Sequence, residues 1–400
     1  MNVLVLVPYL PDTAPGQRFR IEQWARALER QGVRFHFAPF ETDDLRAVIR
    51  ANGRHGAKAV ELLRCMERRV RFLLQVGPEW DVIVIHRELA PIGPPVLERA
   101  LAAKGIPIVY DFDDAIFLPD MSDANRAFKW LKWARKTGVI CGLSSHVMVG
   151  NRYLQEYALA HTDRVSIVPT TIDTDAYTMK PDVDIPKTPV VGWSGSLTTL
   201  KHLRHVEPML QALARTVRFT LKVVGSPDVS MGGIAVESKA WSARSEIDDL
   251  RSFDVGIMPL PDDPWSRGKC GLKALQYLAV GVPTVVSPVG VNREIIEDGT
   301  NGFVAATERQ WVEKLTLLLA DRALRARVAR EGRRTVEERY SAAAHVPRVL
   351  EILQAASERR RSAPVWRLRW RSQRLVASSD RGHVVAPSDT IGRDERRGGA

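Results

Sequence analysis

The sequence predicts an α/β protein built as two doubly wound parallel-sheet domains facing a cleft. Three observations carry this reading. Short β-branched runs alternate with stretches of helical period, and the runs are near-continuously apolar, as strands buried on both faces are. The rhythm stops at Thr178–Pro189, TMKPDVDIPKTP, which has three prolines and no periodicity, and then restarts. With 400 residues, 45% of them hydrophobic, the chain is long enough for two cores.

The elements follow in order. Val3–Val7 reads as a strand, Arg20–Gln31 as an amphipathic helix stopped by Gly32, and Val33–Pro39 as a second strand. A basic helical region around Ala57–Val76 leads to the strand Asp81–His86, the helix Pro94–Lys104 and the strand Ile106–Tyr110. Val147–Gly150, a helix near Tyr153–Ala160 and Val165–Pro169 complete the first half. The second half offers the strand Pro189–Gly195, a helix over Leu200–Ala214, the strand Phe219–Gly225 and a helix near Glu246–Ser252. Then come the strand Asp254–Leu260, a helix from Gly271 stopped by Gly281 and Pro283, and the buried strand Thr284–Val286. Charged helical runs over Arg309–Glu338 and Ala342–Ala356 close the fold. The expected division is an N-terminal domain over 1–177, a linker over 178–189 and a C-terminal domain over 190–340. A C-terminal crossover helix over 341–357 and a basic, disordered tail over 358–400 follow.

The net charge is +11, yet Arg359–Arg374 contains seven arginines and no acidic residue. The remaining body is only mildly basic, which argues against nucleic acid as a partner of the folded part. In the tail, Trp366 and Trp370 stand four apart among arginines, a pattern that suits an anionic membrane surface or a plain solvated tail. Cys65, Cys141 and Cys270 form no pair, as expected in a reducing compartment. The apolar run at the N-terminus is too short for a signal peptide, and no stretch has the length to cross a bilayer. The expected location is cytoplasmic, with peripheral contact at the inner membrane face.

Chemistry is expected at the carboxyl ends of the strands. There, the stretch GKCGLKALQYLAVGVPTVVSPVG (Gly268–Gly290) places Lys269 before a helix and Lys273 in its first turn. Cations are disfavoured at that end of the macrodipole unless an anion sits among them. Lys269 and Lys273 are four apart, and Lys273 and Gln276 three apart, so one face can converge on a ligand. Ser194–Gly195–Ser196, with Lys201 just beyond, is a strand-to-helix turn whose backbone N–H groups suit a phosphate; a plain tight turn explains it equally well. Cys270 reads as a small hydrophobe beside the glycines. His202 and His205 lack a third metal ligand and read as a solvated face. Asp111, Asp113 and Asp114 follow a strand, and three carboxylates in four residues suit ligand hydroxyls or a divalent ion. They equally suit helix capping and pairing with Arg126 or Lys129. His86, Arg87 and Glu88 end another strand, either lining the cleft or lying on the surface.

The second half resembles the nucleotide-sugar-binding domain of retaining GT-B glycosyltransferases of the family-4 type (glycosyl transferases group 1). The resemblance rests on GWSGSLTTLKHL, WSARSEIDDLRSFDVGIMPLPDDPW, the Gly268–Gly290 stretch and VNREIIEDGTNGFVA. Weaker likeness reaches the first half through YDFDDAIF, VGNRYLQEYA and VPTTIDTDAY. The resemblance implies the GT-B fold, two Rossmann-like domains, and transfer of a sugar from a nucleotide-diphosphate sugar to a glycan or lipid-linked acceptor with retention. It implies Lys269, Lys273 and Arg18 as catalytic groups, the lysines with Lys201 stabilising the leaving diphosphate and Arg18 holding the acceptor from the first domain. It further implies donor contacts from Ser194, Gly195, Ser196, Lys201, Gly271 and Gln276, and acceptor contacts from Gly16, Asp111, Asp113 and Asp114. No metal or other cofactor is implied, because lysines and helix dipoles take the place of Mg²⁺. One departure is plain: of the family's two glutamates, which have seven residues between them, the first falls on Gly268 and the second on Gln276. That leaves two rival expectations, a nucleotide-sugar epimerase of the same fold and a non-catalytic binding protein.

Overall fold

The computed structural model describes residues 1–49, 53–118, 133–181 and 188–361. The basic segment beyond Arg361, with Trp366 and Trp370, lies outside the described residues, as do Arg126, Lys129 and the centre of the linker.

Two six-stranded sheets, wholly parallel among the described residues, organise the chain. The first holds β1 (Asn2–Val7), β2 (Arg34–Pro39), β3 (Val82–His86), β4 (Ile108–Phe112), β5 (His146–Val149) and β6 (Val165–Ile167) in the order β2-β1-β3-β4-β5-β6. The second holds β7 (Val190–Ser194), β8 (Thr220–Val224), β9 (Ala235–Lys239), β10 (Val255–Met258), β11 (Thr284–Val286) and β12 (Phe303–Val304) in the order β12-β11-β10-β7-β8-β9. The doubly wound α/β class is as expected. Strands β1, β3 and β4 are buried along almost their whole length, so alternate residues feed cores on opposite faces. Val3 and Val5 face one core and Leu4 and Leu6 the other.

Several elements escaped the sequence reading for identifiable reasons. Strand β9 is an edge strand, AVESK, without an apolar run. The helix Lys136–Leu143 carries two glycines, which hide its period. The expected helix over Leu200–Ala214 is split at Val206, ahead of Pro208. The expected helix from Arg20 opens as a π-helical turn, Arg18–Glu22, before the regular turns Gln23–Glu29.

The crossover helix spans Ala342–Arg361, four residues past its expected end, and returns to the first sheet. Its Val346, Val349, Ile352, Leu353 and Ala356 pack with Val3, Val5 and Trp24. The Arg333 guanidinium holds the crossing point, donating to the carbonyls of Thr174 (2.8 Å), Ala279 (2.7 Å) and Tyr177. Among the described residues, no helix is long and apolar enough to cross a membrane.

Candidate functional site

The carboxyl ends of β7 and β10 lie side by side, and the helix Leu272–Ala279 starts in front of them. Gly271 heads that helix with φ +71°, a conformation glycine adopts without strain. Any Cβ there would run into Ile295.

The two lysines at this helix start have different surroundings. The Lys269 ammonium lies 2.7 Å from Asp114 Oδ1 and over the Trp265 ring. Its anion is therefore a carboxylate of the first domain. Lys273 has no carboxylate partner among the described residues; its ammonium lies 5.7 Å from the centre of the Trp193 ring. Burial, and then the neighbouring Lys269 charge, pull its pKa down to about 8. His202, expected on a solvated face, is instead buried, and its Nδ1 has no hydrogen-bond partner. Burial and the charges of Lys273, Lys269 and Lys201 hold it neutral, with a pKa near 4. Lys201 itself is exposed at the start of its helix. The result is a cationic recess with one mostly buried ammonium that has no ion-pair partner among the described residues; the Asp114 carboxylate, already held by Lys269 and Arg87, acts on it only from beyond ion-pair distance.

The Ser194–Gly195–Ser196 turn differs from the expectation that its N–H groups are open to a phosphate. Ser194 N–H donates to the Tyr277 hydroxyl (2.8 Å), and Gly195 N–H donates to the Val224 carbonyl (2.8 Å). Glycine is required at 195 because a Cβ would meet the Trp193 ring and, at 2.7 Å, Thr199 Oγ1. The turn shapes the recess wall, and only its Ser196 end heads the next helical turn.

Gln276 is buried, and its amide Nε2 donates to Glu246 Oε1 at 3.3 Å and to the Tyr177 hydroxyl at 3.4 Å. Glu246 is the node that the sequence reading missed. It also accepts from Trp241 Nε1 (2.9 Å), from the Tyr177 hydroxyl (2.7 Å) and from Arg18 of the first domain (3.0 Å). Burial would lower the Arg18 pKa, but the Glu246 charge outweighs it and raises it. Arg18 also lies against the Phe19 and Trp241 rings. The expected catalytic Arg18 is thus already engaged by a carboxylate across the cleft.

The aspartates divide into two groups. Asp111 is fully enclosed, with both oxygens taken by Arg20 (the closest contact 2.5 Å) and by His86 Nδ1 (2.8 Å). Burial raises a carboxyl pKa, but Arg20 and His86 outweigh it and hold Asp111 at about 2. This corrects the expectation of an acceptor contact, since Asp111 does not open onto the cleft. Asp113 and Asp114 pair with the Arg87 guanidinium, each at 2.7 Å. Arg87 has a positive φ of 60°, pinned by its N–H to the Asp111 carbonyl and by Tyr110 Oη to its own carbonyl, both 2.8 Å. Gly16 packs directly on this pair, where a Cβ would strike the Asp113 carboxylate and come within 2.7 Å of Arg87.

The loop Gly268–Gly271 is bound to the first domain. Asn151 Nδ2 donates to the Lys269 carbonyl (3.0 Å), and the Cys270 thiol to the Asp113 carbonyl (3.1 Å). Cys270 is buried in the first domain's core, and burial pushes its pKa up, as fits a packing role. A Cβ at Gly268 would lie 2.7 Å from Ala115 Cβ and 2.9 Å from its nitrogen. The departure at this position has a physical reason: the first domain's backbone fills the space a glutamate would need. No group of three or more His, Cys, Asp or Glu among the described residues is arranged to hold a metal ion.

Two parallel-sheet domains, joined by a linker and a returning C-terminal helix, define the GT-B class of fold. Residues 188–321 match the glycosyl transferases group 1 family, so the likeness drawn from the sequence holds for the second domain. Solved structures of similar fold include sucrose-phosphate synthase of Thermosynechococcus elongatus, at 13% identity and TM-score 0.65, over 88% of this chain and 98% of that one. A glycosyltransferase of Rickettsia africae is 12% identical, with TM-score 0.60 over 89% and 98% of the two chains. HepE of Anabaena, solved with UDP-glucose, is 15% identical, with TM-score 0.60 over 89% and 100%. No curated protein sequence matches the chain.

Proposed function

We propose that the protein is a glycosyltransferase that moves a sugar from a nucleotide-diphosphate sugar to a hydroxyl of a glycan or lipid-linked acceptor, with retention at the anomeric carbon. The observation that carries this reading is Lys273, a mostly buried ammonium at a helix start with no ion-pair partner among the described residues. Such a charge costs stability unless a ligand supplies the anion, and a diphosphate supplies it with charge-assisted bonds. The group 1 match over the same residues and the UDP-glucose seen in HepE support a nucleotide sugar as that ligand.

In the reaction, the bond from the anomeric carbon to the diphosphate breaks, and the acceptor oxygen bonds to that carbon from the same face. The acceptor proton leaves with a diphosphate oxygen, so no separate enzymic base is needed. Lys273 stabilises the charge that develops on the diphosphate. Lys269 and Arg18 join it when the ligand competes for them against Asp114 and Glu246. Ser196, Lys201, Gly271 and the Gln276–Glu246 pair frame the donor, while Gly16, Asp113 and Asp114 border the acceptor side. No metal takes part in this scheme, and turnover is expected to survive excess chelator.

A ligand-observed NMR screen of UDP-, GDP-, ADP- and TDP-sugars tests the reading. One donor class should bind the protein and fail to bind Lys273→Ala. Nucleotide diphosphate released only when an acceptor is present separates transfer from epimerisation. Absence of binding by every donor would overturn the proposal.

A further inference from the structure

Glu246 carries more partners than a single ion pair requires. Its Oε1 accepts from Trp241 Nε1 (2.9 Å) and Gln276 Nε2 (3.3 Å), and its Oε2 from the Tyr177 hydroxyl (2.7 Å). The Arg18 guanidinium reaches both oxygens, its closest contact being 3.0 Å. Three of these four partners are uncharged donors. Burial, then the Glu246 charge, push the Tyr177 pKa up, so its hydroxyl stays a donor. Asp114 is built differently, with two cations, Arg87 and Lys269, on its oxygens. A buried carboxylate stripped of its cations is costly when nothing else bonds to it. Glu246 without Arg18 would keep three hydrogen bonds.

Arg18 is the partner placed to leave. Its side chain is 17% exposed, against 0% for Arg20 in the pair with Asp111. The guanidinium otherwise lies against the Phe19 and Trp241 rings, 5.2 Å from each centre, which hold a cation weakly. Arg18 also opens the π-helical turn Arg18–Glu22, an irregularity that recurs at functional sites. An anion site is close at hand. Gln276, bonded to Glu246, stands one turn past Lys273 on the same helix face.

We propose that Glu246 is the resting place of Arg18, and that Tyr177 and Trp241 are positioning residues that let the guanidinium leave it for a bound diphosphate. By satisfying the carboxylate on their own, the uncharged donors lower the cost of losing the arginine. The empty protein keeps Arg18 out of the recess, and an arriving diphosphate draws it in beside Lys273. The inference rests on the diphosphate part of the proposed function and needs neither the sugar nor the acceptor.

The test is calorimetric titration of the full chain with inorganic pyrophosphate. Glu246→Gln should bind it about two- to fivefold more tightly than the wild type, because the competing ion pair is gone. Tyr177→Phe should bind it about three- to tenfold more weakly, since Glu246 then depends more on Arg18. Trp241→Phe keeps a ring beside Arg18 but loses the donor, and should weaken binding likewise. Arg18→Met should still bind through the lysines, and in that background Tyr177→Phe should have no effect, which a merely structural tyrosine would not show. Weaker binding by Glu246→Gln would make Glu246 part of the ligand site and overturn the proposal. So would a Tyr177→Phe loss that persists beside Arg18→Met, or absence of pyrophosphate binding. The sugar-transfer reading survives each of these outcomes, because it falls only when no nucleotide sugar binds.

Discussion

The first domain's ionic cluster and the second domain's cationic recess face one another across the cleft, and they treat buried charge in opposite ways. Arg20 and His86 are fully enclosed and both bonded to the equally enclosed Asp111, and Arg87 holds Asp113 and Asp114. In the recess, Lys273 is mostly buried with an aromatic face and a neutral histidine for company. Paired burial points to architecture. Unpaired burial, which lowers stability until something binds, points to a ligand. Lys269 shows how narrow the distinction is, because four residues from Lys273 the same side chain is neutralised by the opposite domain.

Breaking the paired side should have the largest effect. Arg20→Met leaves Asp111 enclosed with a single partner and is expected to cost about 3–5 kcal/mol in urea unfolding at neutral pH. A loss under ~1 kcal/mol would mean that the cluster is not structural. The same cluster fixes a pH response. The Asp111 pKa is depressed to about 2, so its stabilisation is complete above the unfolded carboxyl range near pH 4 and is lost as pH falls toward 2.

On the unpaired side, Lys273→Met should act in two directions. Donor binding should fall by about 10- to 100-fold, the worth of a hydrogen bond to a charged group. Thermal stability should rise, because the folded state holds Lys273 below its ordinary pKa and removing that charge relieves the folded state at neutral pH. Lys201→Met, at an exposed position, should move stability little. A Lys273 variant that loses stability would contradict the contrast.

The seam between the regions offers two finer tests. Gly268→Glu, restoring the acid common in the resembled family, should destabilise by about 1–3 kcal/mol through its clash with Ala115. Unchanged stability would show that the domains part easily here. Asp114→Asn frees Lys269 for the ligand and should tighten donor binding by only about threefold, as a partly exposed pair is worth little. Weaker binding would instead make Asp114 part of the ligand site.

Much of the fold was legible because buried parallel strands such as Val3–Val7 and Asp81–His86 are apolar runs that little else produces. Edge strand β9 was not, since AVESK carries no such run. At the site, the misplaced lysines at a helix start pointed to an anion, and one of the two indeed meets an acid. What the sequence could not convey was contact between distant segments. Glu246 joins Arg18, Tyr177, Trp241 and Gln276 from across the chain, and no spacing announces that. The signal within reach was the Gln at 276, whose lost carboxylate is matched by one at Glu246, 3.3 Å away. Asp111 misled for a related reason, because a strand-end carboxylate reads alike whether it opens to the cleft or closes on an arginine.

The most direct test is calorimetric titration of the protein with its preferred nucleotide-diphosphate sugar at pH 7 and pH 9. The free Lys273 pKa is about 8, and bound diphosphate favours the charged form. Affinity should therefore be about tenfold weaker at pH 9, with proton uptake on binding there, and this dependence should vanish in Lys273→Met. Equal affinity at both pH values, or a Lys273→Met protein that binds like the wild type, would contradict the claim that this ammonium is the anion site.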